Sequence, residues 1–160
     1  MDKLLSLIEE NAKLSDEQLA AMLNRDVEEV RRQIREYEKS GLIKGYKALI
    51  DWEKADKETV TAFIEVKVSP QRDYGFEQVA ERIMQFEEVE SVYLMSGGFD
   101  LAVTVRGNSF KEVAMFVAER LSPLDNVLST ATHFILRRYK DKGVVFGSEK
   151  PDERGRISLC

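Results

Sequence analysis

The feature that most constrains this chain is a change in the spacing of its apolar residues. Up to about residue 40 they recur every three or four positions, the repeat of a helix with one buried face. From residue 60 they recur every second position. Val60, Ala62, Ile64, Val66 and Val68 alternate there with Thr61, Phe63, Glu65 and Lys67, as in a strand buried on one face. The chain therefore divides into a helical N-terminal part and a sheet-bearing C-terminal part. The charged stretch 52–58, WEKADKE, stands between them and reads as a hinge. This gives domains over 1–51 and 59–140, followed by a polar, glycine-containing tail over 141–160 that reads as flexible.

Within the first part, Leu4, Leu5, Leu7, Ile8 and Ala12 mark a helix over 2–12. Ser15 and Gln18 form a capping box, each side chain satisfying an orphan N–H at a helix start. The short helix it opens turns Leu19, Ala20, Met22 and Leu23 inward. Asn24, tolerant of the left-handed conformation, sits at the turn. Asp26 and Glu29 form a second capping pair, and the helix that follows carries Val27, Val30, Ile34 and Tyr37 on one face. Ser40-Gly41 stops it. Residues 42–51 alternate loosely and read as a strand. Two short helices joined by a tight turn, then a strand, make a winged helix-turn-helix.

The second part reads βαββαβ. A helix over 73–86 presents Phe76, Val79, Ala80, Ile83 and Met84. Strands over 89–96 and 99–106 meet at Gly97-Gly98, which suits a tight hairpin. Ser109 and Glu112 cap a second helix with Phe110, Val113, Ala114, Val117 and Leu121 inward, and a long strand covers 126–139. The fold class is thus α+β, with a ferredoxin-like C-terminal domain. Both helices cover one face of a four-stranded sheet. The other face is apolar or mixed, and one chain cannot bury it, so the protein is expected to form at least a homodimer.

Composition excludes several classes. The net charge is −5, and residues 1–50 hold nine Lys and Arg against ten Asp and Glu. Neither part is a general polycation, so any contact with double-stranded DNA must come from a locally arranged basic face. No apolar run approaches the ~20 residues that span a bilayer, and the N-terminus lacks a signal-peptide pattern. The expected location is cytoplasmic, with no membrane partner. The single cysteine, Cys160, rules out an intrachain disulfide. His133 is the only histidine and reads as a packed or interfacial residue. With no second His or Cys at metal spacing, no phosphate-binding glycine loop and no acid–base constellation, neither a metal, a cofactor nor an enzymatic activity is expected.

Three segments, in order, resemble the Lrp/AsnC family of bacterial and archaeal regulators. Val30-Arg31-Arg32-Gln33-Ile34-Arg35, followed by Glu38-Lys39-Ser40-Gly41-Leu42-Ile43-Lys44-Gly45-Tyr46, resembles the family's recognition helix and the strand after it. Ser96-Gly97-Gly98-Phe99-Asp100-Leu101 is similar to its "tGxyD" hairpin, and Val127 to Leu136 to its last strand. The resemblance implies DNA binding, dimers built through the C-terminal sheets and often gathered into octamers, and an amino-acid effector held between dimers near the hairpin. The chain departs from the family's usual pattern at Gln33 and Glu36, where members carry basic residues, and in presenting Asp26, Glu28 and Glu29 at the start of the recognition helix.

The candidate DNA-binding residues are Arg25, Arg31, Arg32, Arg35 and Lys47; Tyr46 and Lys47 would either touch the backbone from the wing or pack at the linker. The plain alternative is a solvated helix face held by pairs such as Glu28–Arg32 and Glu29–Gln33. The candidate effector-binding residues are Gly97, Gly98, Asp100, Thr130 and Thr132. The two glycines let backbone N–H groups approach a carboxylate, Asp100 answers an ammonium group, and the threonine hydroxyls hydrogen-bond the ligand. The plain alternative is a hairpin turn, with Asp100 capping it or paired with Arg106 or Arg137. The leading expectation is a DNA-binding regulator modulated by an amino acid or related metabolite. Its rival is a ligand-binding assembly protein whose helix-turn-helix has lost DNA affinity.

Overall fold

A computed structural model describes residues 2–55, 59–69 and 75–147. Two compact units form, one up to Ile50 and one from Asp51 on. The first is all helical: α1 (Lys3–Glu10), α2 (Asp16–Leu23) and α3 (Val27–Lys39). Leu4, Ile8, Leu19, Ala20 and Val30 form its buried centre, with Val27, Ile34, Tyr37 and Ile43 packed around them. The capping box is complete: the Ser15 hydroxyl accepts from Gln18 N–H at 3.2 Å, and the Gln18 amide oxygen accepts from Ser15 N–H at 2.9 Å. Asn24 takes the left-handed conformation (φ 52°) that turns the chain between α2 and α3. Met22, expected inside, is 58% exposed. Replacing Ser15 by Ala orphans the Gln18 N–H and should cost about 1 kcal/mol, read as a lower urea midpoint with an unchanged slope.

Residues 44–50, where a strand was expected, pair with no strand among the described residues. Alternation alone does not make a strand; a partner must accept its backbone hydrogen bonds. Side chains hold the segment instead. Ile43 packs on the helical core, and the Tyr46 hydroxyl donates to Glu38 of α3 at 2.9 Å.

The second unit orders as β1 (Val60–Val68), α4 (Phe76–Met84), β2 (Val89–Leu94), β3 (Leu101–Gly107), α5 (Phe110–Phe116) and β4 (Val127–Ile135). The antiparallel sheet has the order β2-β3-β1-β4, so the first and third strands are central. Ala62, Ile64 and Val66 of β1 and Leu101, Val103 and Val105 of β3 are buried with Val79 and Ile83 of α4 and Val113 and Phe116 of α5. Both helices therefore cover one face of the sheet.

Several boundaries differ from those read in the sequence. α5 continues into one π turn, Val117–Leu121. Phe116, Val117 and Leu121 are all buried, while Phe110 is 54% exposed and sets its ring edge-on to Phe134 at 4.9 Å. The last strand ends at Ile135. Residues 141–145, expected to be loose tail, join Lys140 in a small hairpin, β5 (Lys140–Asp141) and β6 (Val144–Val145). Phe146 anchors it: its ring is buried beneath the Arg138 guanidinium at 5.0 Å, and its N–H donates to Tyr139 at 2.9 Å. Part of the expected hinge (56–58), the start of the expected helix (73–74) and the rest of the tail (148–160, with Cys160) lie outside the described residues. Among the described residues no helix is long and apolar enough to cross a membrane.

Candidate DNA-reading helix and effector loop

Helix α3 begins at Asp26, whose carboxylate accepts from the N–H groups of Glu28 (2.9 Å) and Glu29 (3.2 Å). The expected reciprocal pairing with Glu29 does not form, because the Arg25 guanidinium takes that carboxylate at 2.7 Å. Arg25 also donates to the Gln33 side chain at 2.6 Å, Gln33 donates to the Tyr37 hydroxyl at 2.7 Å, and Tyr37 donates to Asp2, the N-cap of α1. That last bond holds the Asp2 carboxyl below the usual carboxylate range. Arg31 is bound from the other side. It meets Asp16 at 2.8 Å and Glu17 at 3.5 Å, both on α2, and also Glu28. The Asp16 hydrogen bond, the largest of these effects, raises the Arg31 pKa above its ordinary value.

The candidate cations thus fall into two groups. Arg25 and Arg31 brace the helix-turn-helix. Arg32, Arg35 and Lys47 are exposed and have no ion-pair or hydrogen-bond partner among the described residues. At ~100° per residue, Glu28, Arg32, Arg35 and Lys39 fall on one stripe of α3, opposite Val30 and Ile34. The expected i,i+4 pairs Glu28–Arg32 and Glu29–Gln33 are absent; Glu28 pairs with Arg31 instead. Lys39 was overlooked as a candidate, although its spacing from Arg32 and Arg35 gives it away.

In the second unit, β2 and β3 are joined by six residues, 95–100, and not by a two-residue turn at the glycines. Met95 N–H donates to the Asp100 carbonyl at 2.8 Å and closes the loop. Asp100 then fastens it to β1: its N–H donates to the Val66 carbonyl at 3.0 Å, and its carboxylate accepts from Val68 N–H at 2.8 Å. The expected partners of Asp100 are not used, since Arg106 pairs with Glu90 at 2.8 Å. Gly97 has φ 152°, and a Cβ at Gly98 would meet nothing within 4 Å, so the backbone there is open to a close approach.

Thr130 and Thr132 lie on β4 opposite Val66 and Ile64. The Thr130 hydroxyl is 3.1 Å from that of Ser122, just past the π turn. Strand β1 stands between these threonines and the Asp100 loop, a separation of about two strand spacings, roughly 10 Å. One chain does not bring the two sets together. Sequence reasoning missed a pocket of about 100 Å³ between α4 and β2, lined by Phe76, Glu77, Ala80, Met84, Val92, Leu94 and Leu101. Leu94 and Leu101 flank the glycine loop, so the pocket opens beside it.

Among the described residues, no helix covers the sheet face away from α4 and α5. Phe63 lies at its centre, edge-on to Phe99 at 6.1 Å and 6.2 Å from the His133 ring. His133 Nε2 stands 3.4 Å from a Glu65 carboxylate oxygen, and Tyr93 is 60% and Ile135 46% exposed.

Comparison with known proteins agrees with both units. The model of the Lrp/AsnC ligand binding domain matches residues 61–145, and a winged helix-turn-helix DNA-binding model matches residues 3–44. An uncharacterised HTH-type transcriptional regulator of Bacillus subtilis, YugG, is 51% identical over 98% of this chain and 95% of its own length. The leucine response regulatory protein LrpA of Mycobacterium tuberculosis has the same fold, with a TM-score of 0.74 at 23% identity over 89% of this chain and 97% of that one. So does a Neisseria meningitidis transcriptional regulator solved as an L-Met complex, with a TM-score of 0.71 at 23% identity over 88% and 93% of the two chains.

Proposed function

The chain belongs to the Lrp/AsnC family of transcriptional regulators, with a DNA-binding unit and a ligand-binding unit, and from that premise we propose how each unit does its work. The regulator binds duplex DNA by laying α3 in the major groove. Arg32, Arg35 and Lys39 face the duplex, Lys47 reaches the backbone, and Arg25 and Arg31 hold the helix in place. The observation that carries this is the division of the cations: the stripe facing solvent is the one whose basic groups have no partner among the described residues.

The effector is a small amino acid with an apolar side chain. Its carboxylate meets backbone N–H groups at Gly97 and Gly98, and its side chain enters the pocket between α4 and β2. The Neisseria regulator, solved with L-Met bound, supports an effector of this kind. Asp100 keeps one carboxylate oxygen free for the ammonium group. Thr130 and Thr132 join the site from a neighbouring subunit, which couples binding to assembly. The assembly unit is a homodimer that buries the open sheet faces against each other, and a ring of such dimers reaches the octamer.

Asp100→Ala is a poor test, because it strips Val68 N–H of its partner and so disturbs the sheet as well as the site. Gly98→Leu, at a position with open space around it, blocks the backbone approach and leaves the fold alone. A melting screen of the twenty amino acids should raise the parent's midpoint with one of apolar side chain. At a hundred times its Kd the gain is about 2.7 kcal/mol, roughly 5–10 °C for a chain of this size. Gly98→Leu should melt like the unliganded parent and lose the shift. No shift in the parent with any amino acid overturns the effector reading.

A further inference from the structure

The start of α3 is acidic, which suits the helix dipole but repels phosphates. The arrangement of the charges gives it another use. Glu28 is 71% exposed at its side chain and stands at the N-terminal end of the stripe that continues through Arg32 and Arg35. Its Oε1 is taken by Arg31. Arg31 is itself pinned to Asp16 of α2 at 2.8 Å, so Glu28 is held in one direction and Oε2 stays open. Helix-turn-helix proteins set the N-terminal residues of this helix against base edges, while later residues approach the backbone. A carboxylate in that place meets one matching donor in the major groove, the N4 amino group of cytosine.

We infer that Glu28 is a base-reading residue that accepts from a cytosine amino group, and that Arg31 is the positioning residue that aims it. Arg32, one turn further along the same stripe, donates to a guanine next to that cytosine. The operator half-site therefore carries a C·G pair beside a G·C pair. The inference rests on the DNA-binding role of α3 proposed above.

The test is selection of randomised duplexes by the full-length protein at one fixed salt concentration, with the parent, Glu28→Gln, Arg31→Ala and Arg32→Ala. The parent should enrich a C·G pair in each half-site. Glu28→Gln should shift that one position toward A·T, because a side-chain amide pairs with adenine, with a preference change of about 5- to 150-fold and the other positions unaltered. Arg31→Ala should blur the same position, and Arg32→Ala only the neighbouring one. Asp26 still caps the helix in each variant, and unchanged circular dichroism confirms the fold. If Glu28→Gln selects the same half-site and binds every duplex more tightly, Glu28 merely repels phosphates and the inference is overturned. If the parent retains no duplex at all, the DNA-binding role of α3 fails first and takes this inference with it.

Discussion

Replacing Arg32 and Arg35 together by Ala should weaken binding to the selected operator by about a hundredfold or more. A well-placed Arg–guanine pair contributes ~1–3 kcal/mol of discrimination. Each phosphate left without its cation also flattens the log–log salt dependence by roughly 0.9. Fluorescence anisotropy across a salt series separates the two effects. Neither residue has a partner among the described residues, so melting should hardly change. The contrast is Arg31→Ala, which releases Asp16, Glu17 and Glu28 at once and should lower the midpoint of the N-terminal unit. If the double variant keeps the parent's affinity and slope, α3 does not carry the interface.

Replacing Phe63 by Asp should turn the assembly into monomers. Phe63 sits in the middle of the open sheet face, between Phe99 and His133, and takes no part in the helix-covered core. A carboxylate there is exposed in a monomer and tolerated. In a sheet-to-sheet dimer it is buried twice, on the same sheet face as Glu65, at a cost of several kcal/mol. Self-association should weaken at least about a hundredfold. Sedimentation at micromolar concentration should show the parent as a dimer or larger and the variant as a monomer with unchanged circular dichroism. A variant of the parent's mass would mean that the subunits meet through another surface.

These expectations draw on parts of the molecule that were unequally visible in the sequence. Alternation at Val60 to Val68 placed β1, and the capping pair Ser15 and Gln18 placed the start of α2, because each pattern depends on neighbours in the chain. The topology followed from the order of the segments. What escaped depends on partners far away or on a break in the repeat. The π turn at Val117–Leu121 breaks the α-helical repeat without a signal in the apolar spacing, and a repeat counted through Phe110 and Ala114 misses Phe116, which is in the core. Residues 44–50 alternate like a strand but have no strand beside them among the described residues. The small hairpin at 140–145 is held by Phe146 beneath Arg138, a packing that composition does not announce.

The candidate sites show the same division. The basic residues of α3 could be counted in the sequence, but which of them are occupied could not. Arg31 is claimed by Asp16, fifteen residues away, and Arg25 by Glu29 and Gln33. Asp100 is bound by Val68, thirty-two residues away on a neighbouring strand, which makes an expected ligand group part of the sheet's framework. The pocket between α4 and β2 joins residues 76 to 101, none of which stands out alone. Two of them, Leu94 and Leu101, flank the glycine loop.

The central claim is that one chain both reads DNA and answers a small molecule. The most direct measurement is a binding titration of the full-length protein on duplex DNA from upstream of its own gene, against an unrelated duplex at the same salt. It is repeated in the presence of the amino acid that gives the largest melting shift. The expected result is that the upstream duplex binds at least about a thousandfold more tightly than the unrelated one and that the amino acid changes that affinity. Equal, weak binding to both duplexes, unmoved by the amino acid, would contradict the claim and leave a ligand-binding assembly protein whose helix-turn-helix no longer holds DNA.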